Sequence, residues 1–261
     1  AQRWNGASKE PISSGSACFT NDLKVYDSTG KSHRLTLYVD SVTTNAQGLK
    51  VYEYVVGMNP SEDARDLPEN GAGLLMAGNL VFSPSGQLMS MSAYVPTEGS
   101  DPSDLSTWVP AQEGENGPAM NVSFVVPSSD PNSPASSTSQ SISLDLGLGQ
   151  QWDKASGSPA AIGTDVTKIP GYNKALNPPV GGSIASGPHA STAYEGNSGE
   201  NYATQNGYAQ GHLVRVAFTE DGIMRATYSN NITADLFQVP LFNFVGVQSL
   251  QNEGMNHFTP T

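Results

Sequence analysis

The chain has 261 residues, with Lys+Arg 12 against Asp+Glu 24 and a net charge of -12, a length that allows one large or two modest domains. At 37% hydrophobic and 14% charged it can bury a core but has little material for charge-laced surface helices, which excludes a long helical bundle or coiled coil. The acidic balance lacks the clustered Lys and Arg that release counterions from a phosphate backbone, so no nucleic-acid partner is expected. No window approaches the ~18 consecutive apolar residues that span a bilayer, so no membrane insertion is expected, and Ala1 to Glu10 lack an apolar signal core. The single cysteine, Cys18, has no partner for a disulfide, zinc site or redox pair, and reads as a small apolar residue.

In chain order, Leu23 and Val25 lead into Asp27-Ser28-Thr29-Gly30, after which His33, Leu35, Leu37 and Val39 alternate with Arg34, Thr36, Tyr38 and Asp40. Period two of this kind predicts a hairpin. The pattern returns as Leu80 and Phe82, Ser83 to Gly86, then Leu88. It returns again as Val214, Val216 and Phe218, Thr219 to Gly222, then Met224, Ala226 and Tyr228. Gly30, Gly86 and Gly222 each close a four-residue turn and are expected at positive φ, where glycine carries no Cβ penalty. Further strands are expected over Leu49 to Val56, Met120 to Val126, Ile142 to Leu148 and Leu236 to Phe244, and a helical turn over Val245 to Asn252. The fold class is therefore mainly β: antiparallel hairpins forming a barrel or sandwich-like outer domain with long loops, plus a smaller partial β domain at the C-terminal end.

Long connectors separate these strands: Gly57 to Gly78, Pro96 to Pro118, Pro127 to Gln140 and Lys154 to Asn206. Residues 61 to 150 hold eleven acids and one base, and such carboxylates among Pro, Ser and Gly are expected in solvent-facing loops, because burial without a partner is costly. The chemistry-bearing residues do not assemble into a site. His33, His189, His212 and His257 show no metal-ligand spacing, and neither a nucleophile elbow nor a phosphate loop occurs. His33 is expected to pack on the apolar face of its strand. The pairs Glu62-Asp63 and Asp101/Asp104 lack the ligand series of a calcium loop and are expected to be solvated. Tyr52 and Tyr54 share a strand face, suited to core packing or to a sugar-stacking platform. Asn121-Val122-Ser123 and Asn231-Ile232-Thr233 match a glycosylation sequon. Catalytic, cofactor and metal residues are accordingly expected to be none.

The C-terminal quarter carries a specific run: Asn206 to Gly211, Leu213, Phe218 to Gly222, Tyr228-Ser229-Asn230, Gln238 to Phe244, Leu250 and Gly254-Met255-Asn256. It resembles the bacterial flagellar hook proteins, whose pattern runs Asn-Gly-Tyr, Gly-Asp-Leu, an Asp-Gly turn, Tyr-Ser-Asn, Gln-Val-x-Leu-Ala-Asn-Phe, Leu and Gly-x-Asn-x-Trp. Here His212 stands for the Asp, Phe242 for the Ala and Phe258 for the Trp. Upstream, Val25 to Gly30 with His33, Leu35 and Leu37-Tyr38 resembles the hairpin that leads into the family's outer domain. Leu80 to Phe82, Gly86 and Leu88, and then Ile142 with Leu144 to Leu146, resemble its next strands.

The resemblance implies a structural subunit, exported without a cleavable signal by the flagellar type III apparatus to the extracellular hook, the tube joining motor to filament. Implied partners are other hook subunits and the hook-cap, rod and hook–filament junction proteins; no cofactor or catalysis is implied. Residues 1–19 are then a linker entering from the middle domain, 20–205 an outer domain with acidic and Gly/Pro/Ser-rich insertions, and 206–261 the returning half of the middle domain. Without the family's terminal helices the chain reads as a fragment, expected to be monomeric. In some relatives a cysteine near the position of Cys18 links covalently to lysine, a subgroup the acidic loops do not favour. The alternatives are a flagellar distal-rod protein, which generally lacks so large an outer domain, and an extracellular carbohydrate-binding β module. A β-fold hydrolase would rest on the carboxylate pairs alone.

Overall fold

In the computed structural model, residues 3–13, 15–102, 104–128, 130, 132–154, 187, 189–194, 199–200, 202–240, 250–255 and 257–260 are described. The chain forms two compact units, Ala1–Tyr208 and Ala209–Thr261. The strands of the first are β1 (Phe19–Tyr26), β2 (Ser32–Thr44), β3 (Lys50–Met58), β4 (Leu74–Phe82), β5 (Leu88–Met91), β6 (Tyr94–Pro96), β7 (Trp108–Pro110), β8 (Gln112–Glu113), β9 (Pro118–Val126) and β10 (Ser136–Ser143). The second holds β11 (Leu213–Phe218), β12 (Ile223–Tyr228), β13 (Thr233–Gln238), β14 (Leu250–Gly254) and β15 (His257–Pro260). These strands pair antiparallel throughout. Helical structure among the described residues consists of short 3-10 turns.

One recurrent turn organises the hairpins. Gly30 donates to the Asp27 carbonyl, Gly86 to that of Ser83 and Gly222 to that of Thr219, at 2.9 to 3.0 Å, with φ of 81°, 84° and 75°. The same closure recurs twice where alternation gives no sign of it. Gly48 donates to the Asn45 carbonyl, and Asn231 donates to the Tyr228 carbonyl. Asn231 takes φ 63° in place of glycine, a conformation that asparagine tolerates better than most residues. In four of the five, the first residue's side chain also accepts an amide from inside or just beyond the turn: Asp27 from Thr29 and Lys31, Asn45 from Gln47 and Leu49, Ser83 from Gln87, and Thr219 from Ile223. In those four hairpins a polar residue three positions before Gly thus helps to fix the register.

In the first unit, a sheet in the order β1-β2-β3-β4-β6-β7, with β5 also on β4, faces a smaller sheet β10-β9-β8. The strands do not close into a barrel; the arrangement is sandwich-like. Leu35 and Leu37 of β2, Tyr54 and Val56 of β3 and Leu80 of β4 meet Met120, Val122 and Phe124 of β9 across the core. The opposite face of the large sheet buries Val55, Leu74, Ala77 and Tyr94 under Trp4 and Trp108. Trp4 lies over Gly57, where an added Cβ would come within 2.2 Å of the indole, and its Nε1 donates to the Ala72 carbonyl at 2.9 Å. The N-terminal segment, expected as a linker, therefore closes one face of the first unit.

Two strand assignments change. Ser136–Ser143 is the edge strand β10, paired from Ser136↔Val126 to Ser143↔Ala119, although its first half was expected in a connector. An edge strand buries only one face, so Thr138, Gln140 and Ile142 suffice on the covered side. Leu144 to Leu148 leave the strand, with Gly147 at φ 105°, and Leu144 and Leu148 reach the core as loop residues. In the second unit, Leu250–Gly254 pairs with His257–Pro260, so the C-terminal part of the expected helical turn Val245 to Asn252 is a strand. Gly254 at φ 91° and Met255 at φ 51° turn the chain back, and cross-strand pairing takes the amides a helix would use. The rest of that span, and Leu241 to Phe244, lie outside the described residues.

Candidate functional site

The densest polar cluster lies in the first unit, around His33. The β1–β2 turn buries the Asp27 side chain, whose Oδ1 accepts from the Thr29 amide (2.8 Å), the Thr29 hydroxyl (2.6 Å) and the Lys31 amide (3.0 Å). Its Oδ2 is 3.1 Å from His33 Nε2, and His33 Nδ1 is 2.8 Å from Glu62 Oε2. The imidazole stacks on Phe124 with centroids 3.8 Å apart and 13° between planes. Burial alone would raise the Asp27 pKa. The hydrogen bonds from the Thr29 hydroxyl, His33 and the Lys31 and Thr29 amides outweigh it and hold the carboxyl at about 2. The His33 side chain is 0% exposed, so no dissolved substrate reaches it. The cluster joins a turn of the large sheet, the 3-10 turn Pro60–Glu62 and strand β9 of the small sheet.

The acidic connector is correspondingly not all solvent-facing. Asp63 is 1% exposed at the side chain and pairs with Arg65, itself 6% exposed, at 2.7 Å. Asp63 Oδ2 also accepts the Gly73 amide, while Arg65 Nη2 donates to the Leu74 carbonyl. The expectation of a solvated Glu62-Asp63 pair is thus overturned at Asp63, whose burial Arg65 and the Gly73 amide make tolerable, while Glu62 stays partly exposed and turns its Oε2 to His33. Asp104, by contrast, is exposed and accepts the Ser106 amide and hydroxyl at the start of Leu105–Thr107, which holds its carboxyl below the usual range.

Tyr54 is fully buried and donates to the Ser92 carbonyl at 2.9 Å, and burial pushes its hydroxyl well above the usual range. Tyr52 meets Phe82 edge-on, with centroids at 5.5 Å. No open aromatic platform exists on that strand. His33, Leu35 and Leu37 do share the core face, as alternation indicated. His189 stacks on Tyr202 at 4.0 Å, and His212 and His257 are exposed in the second unit. Cys18 is exposed, its thiol donating to the Val39 carbonyl at 3.1 Å, rather than packed as a small apolar residue. Asn121 and Asn231 are both exposed. Among the described residues, no group of three or more His, Cys, Asp or Glu is placed to hold a metal ion.

Sequence reasoning missed Glu62 and Asp27 as partners of His33. The only local sign was Asp27 at the start of a turn, and the Glu62 contact crosses 29 positions of sequence.

The described residues of the first unit thus form a β-sandwich domain of two antiparallel sheets whose buried charges pair internally. Residues 3–208 match the family model of the flagellar basal body protein FlaE D2 domain, and the chain belongs to that family. It is also similar to the flagellar hook protein FlgE of Helicobacter pylori (strain ATCC 700392 / 26695), 44% identical over 63 residues, covering 24% of this chain and 9% of that protein. Similarity to the flagellar hook protein FlgE of Escherichia coli (strain K12) is 41% over 58 residues, covering 22% of this chain and 14% of that protein. The matched part of the chain thus spans about a tenth of the length of these curated relatives.

Proposed function

We propose that this chain is part of a structural subunit of the bacterial flagellar hook, the helical tube acting as a universal joint between motor and filament. The observation that carries this reading is the match of the D2 domain family across residues 3–208, together with the similarity to hook proteins from two genera. Residues 20–205 are its outer domain, and residues 206–261 the returning part of a domain nearer the tube axis. Its partners are other hook subunits, and through the tube the cap, rod and hook–filament junction proteins. It works outside the cell, exported by the flagellar type III apparatus, and performs no catalysis. The interior supports this role: the buried acids are matched by His33, Arg65 and backbone amides rather than presented to a substrate.

Antibodies raised against the chain test the proposal on purified hook–basal bodies from the source bacterium. Decoration confined to the hook is the expected result. Decoration of the rod alone would assign the chain to the distal-rod proteins instead, and an unlabelled hook would remove it from the flagellar axis.

A further inference from the structure

Four Asn-Gly pairs occur in the chain, at Asn5, Asn70, Asn116 and Asn206. In such a pair the backbone nitrogen of the glycine can attack the asparagine side-chain amide, because glycine leaves the approach unhindered. All four asparagines are exposed, so access to water does not distinguish them. The state of the attacking nitrogen does. The Gly6 amide donates to the Asn70 carbonyl at 2.7 Å, and the Gly71 amide to the Pro68 carbonyl at 2.8 Å. The Gly207 amide donates to Gln205 Oε1 at 2.5 Å. The Gly117 amide has no acceptor among the described residues.

The reason lies in the β8–β9 hairpin. Its loop is closed from one side, by the Gly114 amide donating to the Gly117 carbonyl at 2.8 Å. The Gly114 carbonyl accepts from Gln150 Nε2, which also donates to the Glu115 carbonyl at 2.9 Å, so Gln150 competes with the Gly117 amide for it. A hydrogen bond lowers the reactivity of an amide nitrogen by holding its proton, so the one unbonded nitrogen of the four is the one set free to react. Nor is the side chain of Asn116 tied by a hydrogen bond among the described residues.

We propose that Asn116 is a site of spontaneous self-modification in the folded protein. The Gly117 nitrogen loses its proton and bonds to Asn116 Cγ, and the bond from Cγ to Nδ2 breaks, with ammonia leaving and a succinimide remaining. Water then adds to one of the two ring carbonyls. Opening at one leaves aspartate, and opening at the other leaves isoaspartate, with one extra carbon in the main chain. Either product puts a new carboxylate beside Glu113 and Glu115, and isoaspartate lengthens the loop that the Gly114–Gly117 bond closes. Glycine cannot be replaced at 117 to probe this, since a Cβ there would lie 2.3 Å from the Leu144 carbonyl oxygen.

The test is incubation of the full chain at mildly alkaline pH in heavy-oxygen water, followed by peptide mapping and isoaspartate-specific methylation. In the folded chain, label and isoaspartate accumulate at residue 116 ahead of residues 5, 70 and 206, whereas in the urea-unfolded chain the four react at comparable rates. Equal accumulation in the folded chain, precedence of any other site, or no reaction at 116 while the unfolded chain reacts there, overturns the proposal. Gln150→Ala removes the competing donor at the Gly114 carbonyl and is expected to slow residue 116, and unchanged rates at the other three sites report an intact fold. An unaltered rate at 116 in that variant overturns the role given to Gln150.

Discussion

At Asp27, hydrogen bonds from Thr29, Lys31 and His33 stabilise a carboxylate that burial opposes. Its pKa falls from 3.8 to about 2 on folding. A depressed value means stability that is present above pH 3.8 and lost as pH falls through the folded-state value. Denaturant melts are expected to show the chain losing stability between about pH 4 and pH 2, and Asp27→Asn losing less by roughly 2 kcal/mol, the size linkage assigns to such a shift. An identical acid profile in the variant would place the acid sensitivity elsewhere. The turn glycines differ in a related way. Gly30→Ala is expected to cost about 1 kcal/mol for its backbone angle. Gly86→Ala costs more, since its Cβ would lie 2.9 Å from both the Ala193 carbonyl oxygen and the Tyr194 ring. Urea melts of the two variants check the order.

Among the elements, the N-terminal segment and the acidic turn hold the first unit's faces closed. Trp4→Ala removes the indole over Gly57 and its bond to Ala72 and is expected to cost about 3–5 kcal/mol, as large aromatic truncations do. Limited proteolysis of the variant should cut before residue 13, at a site protected in the unaltered chain. Asp63→Ala strands the buried Arg65 guanidinium, at an expected cost of about 3–5 kcal/mol, and thermal unfolding measures it. The hairpins around Gly30, Gly86 and Gly222 were readable because alternation and turn chemistry act over a few neighbouring residues. Strand β10 was not, because Ser136-Ser137-Thr138-Ser139 carries no apolar signal and exists as a strand by pairing with β9. For the same reason, Leu250 to Asn252 joined a hairpin with Asn252↔Phe258 in place of a helical turn.

For the whole molecule, a charge of -12 repels like chains at long range. Light scattering over a concentration series is expected to give one species near 27.4 kDa; growth into rings or tubes would show that the contacts of assembly reside within these residues. The sequence by itself determined the mainly antiparallel class, the hairpin turns and the core face of β2, since period two and a glycine three residues after a polar one are local instructions. It also carried the resemblance to hook proteins through the order of its motifs. Only the tertiary structure decided that Glu62 and Asp63 turn inward, that Trp4 belongs to the core, and that Asp27 and Glu62 bracket His33. Glu62 meets His33 across 29 positions and Trp4 meets Ala72 across 68, and even the near pair Asp63 and Arg65 is buried only because the fold covers it, so whether a charge or an indole is buried rests on what the fold brings to meet it.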